Sequence, residues 1–338
     1  MDLPDAFRAL ADWAADSSPL YETICRGIAE DQTLLDLAEE VPPDRWAPHI
    51  MLSAVHYLLL NGADHTLARF YPSLTDSPED PGAAYPNFRN FCVTHADDLI
   101  PLLRHRRTQT NAVSRCAGLY PAFCYIDHQT SMPLGLLELG TSAGLNLNWN
   151  RYAYGYDSEW FGTTDSNVTV QSSVRSGSPP LQQSPPAVNT RLGIDLNPLD
   201  PTDSSDAAWL RALVWPEHTE RLDLLDAALE QTQTDPPRVV ADDAVETLVN
   251  HATSMPDDET LVIYHTAFLY QLSEDQRNTL HQALATIGER RPVWWLSGDG
   301  ETDSSGTFGL ELTRFPDGDS VQLGQYEQHG RWIDWCDT

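Results

Sequence analysis

The hydrophobic period of this chain changes once, near residue 130, and that change restricts the folds open to it. From Phe7 to about Cys116 the stretches FRALADWAA, LLDLAEEV, HIMLSAVHYLLL and ADDLIPLLRHRR place apolar residues three and four apart. Pro-containing breaks separate them, so this half predicts helices throughout. From Pro133 onward the apolar runs shorten to LGLLEL, RLGIDL, RVVAD, TLVIYH and PVWWLSG, with helical stretches such as AAWLRALVW and ERLDLLDAALEQ between them. Short buried runs alternating with helices predict a parallel sheet with helices on its faces. The expected organisation is an all-α unit over 1–115 followed by an α/β domain over 116–338.

The C-terminal segment FGLELTRFPDGDSVQLGQYEQHGRWIDW alternates in period two around Pro316-Asp317-Gly318-Asp319. It predicts an antiparallel hairpin closing one edge of the sheet. The low-complexity run SGSPPLQQSPP, Ser176 to Pro186, predicts an exposed loop, and WFGTTDSNVTVQSSV before it a small inserted hairpin; together they form an insertion near 153–190.

Charge narrows the function classes. The chain carries 50 Asp+Glu against 20 Lys+Arg, a formal net charge of −30, and every basic residue is Arg. Such a balance disfavours attraction to DNA phosphates or anionic lipid. A carboxylate-rich surface without Lys stays hydrated in concentrated salt, where like-charge repulsion is screened. We therefore expect a halophilic source with an acidic proteome and a cytoplasmic location. Cys25, Cys92, Cys116, Cys124 and Cys336 form no Cys-x-x-Cys pair, which predicts free thiols. No stretch approaches the roughly 20 apolar residues of a membrane span. With 338 residues, 41% of them hydrophobic, there is material for one large domain or two ordinary ones.

The chemistry concentrates around Leu136 to Tyr152, LLELGTSAGLNLNWNRY. Leu136 to Leu139 reads as a strand, Gly140-Thr141-Ser142-Ala143-Gly144 as a turn, and Leu145 onward as a helix. Glycines let backbone approach a ligand, and a helix N-terminus offers unpaired amides. Glu138, a carboxylate inside an apolar strand, needs a polar partner. Later strands also end on polar residues, Asp195 after LGI, Asp242 and Asp243 after RVVA, and His265 after LVIY. Open α/β sheets bind ligands at such carboxyl ends. No metal-binding cluster is evident.

The series ELGTSAG, GIDLNP, ADDA and IYHTAF resembles the class I S-adenosyl-L-methionine (SAM) dependent methyltransferases. Over nearly its full length the chain also resembles the DUF2332 proteins, through Glu138 to Leu147, Gly193 to Pro201, Trp215-Pro216-Glu217 and His329-Gly330-Arg331-Trp332. The methyltransferase resemblance covers the second half and implies a Rossmann-like, mostly parallel sheet with SAM as cofactor. It implies that Glu138, Gly140 and Gly144, with Thr141 and Ser142 between them, take the cofactor's amino-acid end. Asp195 would take the ribose, and Asp242, with Asp243 beside it, the adenine. Asp195 follows the glycines at more than the usual spacing of about 20 residues, which requires the insertion. His265, just past the fourth strand of that fold, would face the transferred methyl group and accept the substrate's proton.

Two further readings remain open. Gly140 to Gly144 also satisfies Gly-x-Ser-x-Gly, the nucleophile elbow of serine hydrolases, with Ser142 as nucleophile, Asp242 or Asp257 as acid and His265, His281 or His329 as base. The upstream half is helical, however, where such a hydrolase needs strands. The third is a cofactor-binding module without catalysis. The basic cluster LLRHRRTQTNAVSRC offers Arg107, Gln109 and Asn111 to a small-molecule substrate, or a solvated helix face whose arginines pair with carboxylates. The expected partner is that small molecule, with neither nucleic acid nor membrane; no oligomeric state follows.

Overall fold

The computed structural model describes residues 1–300 and 306–336. It is a mixed α/β structure with a large, mostly parallel sheet and flanking helices. The chain runs through α1 (Leu3–Ala14), α2 (Pro19–Ile28), α3 (Gln32–Ala38), α4 (Ala47–Leu60), α5 (Tyr85–Thr94), α6 (Ala96–His105) and α7 (Cys116–His128). Then come β1 (Leu134–Leu139), β2 (Ala153–Tyr156), β3 (Glu159–Gly162), β4 (Thr169–Ser176) and β5 (Val188–Asp195). After α8 (Ser204–Ala212) and α9 (Thr219–Thr234) follow β6 (Arg238–Ala241), α10 (Ala244–Thr253), β7 (Thr260–His265), α11 (Glu274–Gly288), β8 (Val293–Gly300), β9 (Thr307–Phe315), β10 (Asp319–Glu327) and β11 (Trp332–Trp335).

Two compact units result, one of residues 1–110 with 203–226, the other of residues 111–202 with 227–338. The first is helical, and four of its helices, α1, α2, α3 and α8, begin on side-chain caps. Asp2 accepts from the Asp5 amide, Ser18 from Tyr21, Asp31 from Thr33 and Leu34, and Asp203 from Ser205 and Asp206. Each such cap satisfies amides that have no partner within the helix, and a carboxylate cap also suits the positive helix end. The face of α1 that turns inward, Phe7, Leu10, Ala11 and Ala14, follows the three-and-four spacing of the sequence.

All the described strands belong to the second unit and form one eleven-stranded sheet, in the order β3-β2-β4-β11-β10-β9-β8-β7-β1-β5-β6. The run from β6 to β8 is wholly parallel. β9 and β10 are the predicted antiparallel pair around Pro316 to Asp319. The hairpin does not close an edge: β11 pairs with β10 and with β4, and the sheet continues through β2 to β3. The insertion therefore supplies that edge. Its hairpin is β2 with β3, turning at Asp157, whereas β3 and β4 are separated by β2, so the predicted pairing across Trp160 to Val174 is corrected.

One sheet face packs Leu137, Leu139, Leu192, Ile194, Ile263 and Trp295 against Val245, Leu248 and Ala252 of α10 and Leu280, Leu284 and Ile287 of α11. On the other, Phe123 of α7 meets Tyr264 edge-on at 5.1 Å and stacks on Trp149 at 4.1 Å. Among the described residues no helix is long and apolar enough to cross a membrane. The five cysteines are free, with Cys336 alone exposed.

Several ion pairs among the described residues are exposed on both sides, such as Arg8 with Glu30 and Arg26 with Asp12, and pairs of this kind contribute little. A net charge of −30 then makes self-repulsion the larger electrostatic effect. The melting temperature should rise as KCl increases from about 0.1 M to about 2 M, since the screening length falls severalfold. An unchanged or lower melting temperature at the high end would contradict this.

Candidate functional site

In the parallel run, Leu139, Ile194, Val240, His265 and Ser297 stand in one row across the carboxyl ends of β1, β5, β6, β7 and β8. Side chains alternate along each strand, so His265 shares its face with Ile263 and the α10 and α11 layer. Glu138 and Tyr264, paired across β1 and β7, occupy the opposite face with α7.

The chain leaving β1 turns with positive φ at Gly140 (69°), Ser142 (56°) and Gly144 (75°). The Gly140 and Thr141 amides donate to the Ile194 carbonyl at 2.8 and 3.3 Å, and the Ser142 amide to Asp195 Oδ2 at 2.8 Å. The Leu145 amide donates to Asn111 Oδ1 at 3.0 Å. The segment that follows, expected as a helix, is a 3₁₀ helix, Leu145–Arg151. Its first amide is used by Asn111, so the helix-dipole anion site implied by the sequence is not formed there. Asn111, expected to bind substrate, is a buried support of this loop.

Glu138 is buried and accepts from the Thr141 hydroxyl at 2.5 Å. The Tyr264 hydroxyl also faces it without closing a hydrogen bond of normal geometry. Burial pushes the Glu138 carboxyl up to about 8, against the pull of the two hydroxyls, so near neutral pH it is largely protonated.

Asp195 Oδ2 holds the Ser142 amide, and its Oδ1 accepts from the Asn197 amide at 2.9 Å. Leu196 beside it is 75% exposed, a large apolar side chain left open at the strand ends. Asp242 accepts from the Asp243 amide and lies 3.0 Å from His251 Nε2. Asp243 caps α10 through the Val245 and Glu246 amides. The ordinary reading of a capping aspartate therefore describes Asp243.

His265 is fully buried, and its Nδ1 lies 2.5 Å from Asp299 Oδ1. Asp299 Oδ2 accepts from the Phe268 and Leu269 amides at 2.6 and 2.8 Å. Burial pushes the Asp299 carboxyl up, but the His265 imidazole and these amides outweigh it and hold it below the usual carboxylate range. An ionised Asp299 requires the proton on Nδ1, and Nε2 is buried without a hydrogen-bond partner among the described residues. Asp299 was missed in the sequence, where the only signal is a carboxylate closing the apolar run VWWLSGDG.

The remaining residues are dispersed. Arg104, Arg106 and Arg107 face Glu40, Asp206 and Asp44 at 2.6, 2.6 and 3.5 Å, which matches the solvated-face reading of the basic cluster. Gln109 is half-buried in the same helical unit, whereas Asn111 belongs to the other. Of the hydrolase candidates, Asp257 lies against Arg291, His281 packs edge-on against Trp295, and the His329 amide donates to Glu327. Among the described residues no three His, Cys, Asp or Glu side chains gather to hold a metal ion. A cavity of about 470 Å³ lies away from the strand ends, lined by Arg151, Ser166, Asn167 and Gln231 among others.

A family model described as "Uncharacterized protein conserved in bacteria (DUF2332)" matches residues 4–335. The chain belongs to the DUF2332 family. Comparison with curated proteins and with solved structures finds no match.

Two predictions follow from that geometry. Replacing Asp195 by Ala removes two charge-assisted bonds to backbone amides and should destabilise the protein by about 1.5–3 kcal/mol; an unchanged urea midpoint would show that the loop does not depend on it. Glu138 keeps its proton in the folded state from its ordinary 4.5 up to about 8. The unfolded state releases that proton, so stability should fall as pH rises through this window, by up to about 1.4 kcal/mol per pH unit. Glu138→Gln should flatten that part of the profile, and parallel profiles for both proteins would reject the assignment.

Proposed function

We propose that the second unit is a Rossmann-like domain that binds SAM at the carboxyl ends of its parallel strands, and that the protein is a small-molecule methyltransferase. One observation carries the reading. Numbered in chain order, the parallel strands β1, β5, β6, β7 and β8 lie across the sheet as third, second, first, fourth and fifth. Strand order thus reverses between β1 and β7, and doubly wound sheets take their ligands at such a reversal. The loop from Gly140 to Gly144 leaves one of these strands and His265 ends the other.

The side chains present suit a nucleoside carrying a sulfonium better than one carrying phosphate. Carboxylates at the ends of β5 and β6 accept from hydroxyl and amino groups and repel phosphate. In this reading Asp195, oriented by Ser142 and Asn197, takes the ribose diol, Leu196 covers one face of the adenine and Asp242 receives its amino group. Glu138 and the loop glycines take the amino-acid end. SAM, when bound, supplies an electrophilic methyl carbon. Asp299 fixes the His265 tautomer, and Nε2 accepts the proton that the acceptor loses. Phe268 lies 5.7 Å from the His265 ring, so the turn after β7 must move aside to admit a substrate.

Calorimetry with SAM and S-adenosylhomocysteine in concentrated salt tests the reading. Binding of both is expected, weakened by about 1.5–3 kcal/mol in Asp195→Ala, measured below its melting temperature. His265→Gln should bind both ligands as before. Absence of heat with either ligand up to the millimolar range would reject both the methyltransferase and the cofactor-binding module. One observation favours a second reading: Ser142 has φ 56° within Gly-x-Ser-x-Gly, the strained backbone expected of a nucleophile elbow. Covalent labelling of Ser142 by a fluorophosphonate would transfer the assignment to a serine hydrolase.

A further inference from the structure

His329-Gly330-Arg331-Trp332 contributes no side chain to the strand-end site, yet the turn it forms fixes an arginine beside that site. Glu327 organises the turn. Its Oε2 accepts from the His329 and Arg331 amides at 3.0 and 3.3 Å, and its Oε1 from Arg331 Nη2 at 3.1 Å. Gly330 has φ 74°, and a Cβ on it would begin 2.0 Å from the Ser114 carbonyl oxygen, just before α7. Glycine alone suits both conditions. The same turn presents the Gln328 carbonyl, which accepts from Arg115 Nε at 3.2 Å. The Gly330 turn and the start of α7 are therefore pressed together at Arg115.

A chain of contacts leads from Arg115 to the end of β8. Its Cζ lies 5.7 Å from the centre of the Phe308 ring, and Phe308 meets Tyr326 edge-on at 5.8 Å. The Tyr326 hydroxyl donates to the Gly298 carbonyl at 2.5 Å, one residue before the Asp299 that orients His265. Tyr326 and Tyr270 each lie within electrostatic reach of both Arg115 and Asp299, and Glu138 within reach of Arg115. The guanidinium thus stands beside the carboxyl ends of β1, β7 and β8. Packing on Phe308 explains its plane but not this location.

The carboxylates nearby have their hydrogen bonds elsewhere: Glu327 with Arg331 and two amides, Asp299 with His265 and two amides, Asp195 with the Ser142 and Asn197 amides. Arg115 is half-buried, and among the described residues its Nη1 and Nη2 donate no hydrogen bond and reach no carboxylate. Neither nitrogen is sealed from solvent. What remains at the strand ends is a planar donor fork, anchored through Nε and backed by a ring.

We propose that Arg115 binds the carboxylate of the small molecule that enters at the strand ends, so that the methyl acceptor is a carboxylic acid. The acceptor role rests on the methyltransferase reading; the binding of a carboxylate does not. Two parallel N–H groups match the two oxygens of a carboxylate, a geometry that Arg offers and Lys does not. A phosphate dianion suits the place less well, because Asp195, Asp242 and Asp299 stand at the same strand ends and one guanidinium offsets one charge. α7 begins at Cys116 without a side-chain cap, and its positive end adds to the attraction.

The test titrates the full chain with 4-fluorobenzoate and with its neutral counterpart 4-fluorobenzamide at constant chloride, read by fluorine NMR. The acid should bind at least about tenfold more tightly than the amide. Arg115→Gln, which keeps a donor for the Gln328 carbonyl, should abolish that preference. Arg115→Lys, which keeps the charge without the fork, should retain part of it. Both variants should melt near the wild type and bind S-adenosylhomocysteine as it does. Equal affinity for acid and amide, a preference that survives Arg115→Gln, or no binding of the acid into the tens of millimolar would overturn the proposal and leave the cofactor reading standing. An Arg115→Gln protein that loses affinity for S-adenosylhomocysteine and not for the acid would assign the guanidinium to the cofactor's carboxylate and overturn it too. An Arg115-dependent preference without any binding of S-adenosylhomocysteine would uphold the carboxylate site and reject the cofactor reading.

Discussion

The strand-end architecture depends on one carboxylate. Asp195 holds the Ser142 amide with one oxygen and the Asn197 amide with the other, so the chain leaving β1 and the chain leaving β5 are fixed to the same group. Its backbone carbonyl also accepts from the Asp242 amide, which brings in the end of β6. The loop it restrains carries a non-glycine residue, Ser142, at φ 56°, a conformation that costs about 1–2 kcal/mol. Strain of that kind persists only where surrounding bonds over-determine it. The Ile194 carbonyl, Asp195 and the Leu199 amide, which donates to the Ser142 carbonyl at 3.3 Å, supply those bonds. A rigid loop at a strand-order reversal is thus a product of side-chain capping rather than of glycine content alone.

Acidic residues are abundant, and burial separates their roles. Asp243 sits at a helix start and satisfies two amides. Asp299 is as buried as a core residue, but the imidazole and two amides keep it ionised. Glu138 is equally buried with only hydroxyls for partners, and desolvation prevails. Hydroxyl dipoles recover less of the lost hydration of a carboxylate than an adjacent cation with amides does. The same side-chain chemistry therefore yields a helix cap, a fixed anion and a protonated acid within one unit.

What the sequence disclosed follows from which signals are local. TLVIYH coincides with β7, and the pair around Pro316 to Asp319 is β9 with β10, because alternation and turn chemistry act within a few residues. Partners distant in sequence left no such trace. Period alone makes α8 a helix but does not reveal that residues 203–226 join the N-terminal helices in one unit. Asp299 was one carboxylate among 50 acidic residues, and only the fold places it 2.5 Å from His265. The hairpin partner of β3 was misread because three short β-rich stretches follow one another, and period two does not choose between neighbours.

The glycines of the motif illustrate how far such a pattern reaches. A side chain at Gly140 would begin 2.7 Å from the Phe268 ring, and one at Gly144 would begin 2.9 Å from Pro237. Gly193 of β5 makes room for Thr141, whose methyl stands 2.4 Å from where its Cβ would be. All three glycines are thus required by the packing of the chain on itself, before any ligand is considered. The pattern Glu-x-Gly-x-x-x-Gly is consistent with a cofactor cradle, but its glycines do not argue for one. Evidence for a ligand has to come from polar groups that the packing leaves over, and the buried His265 Nε2 is such a group. An imidazole oriented by an ionised carboxylate, with its second nitrogen unsatisfied, incurs a desolvation cost that a bound substrate would relieve. A ligand at these strand ends is therefore argued from the His265 and Asp299 pair rather than from the glycine loop.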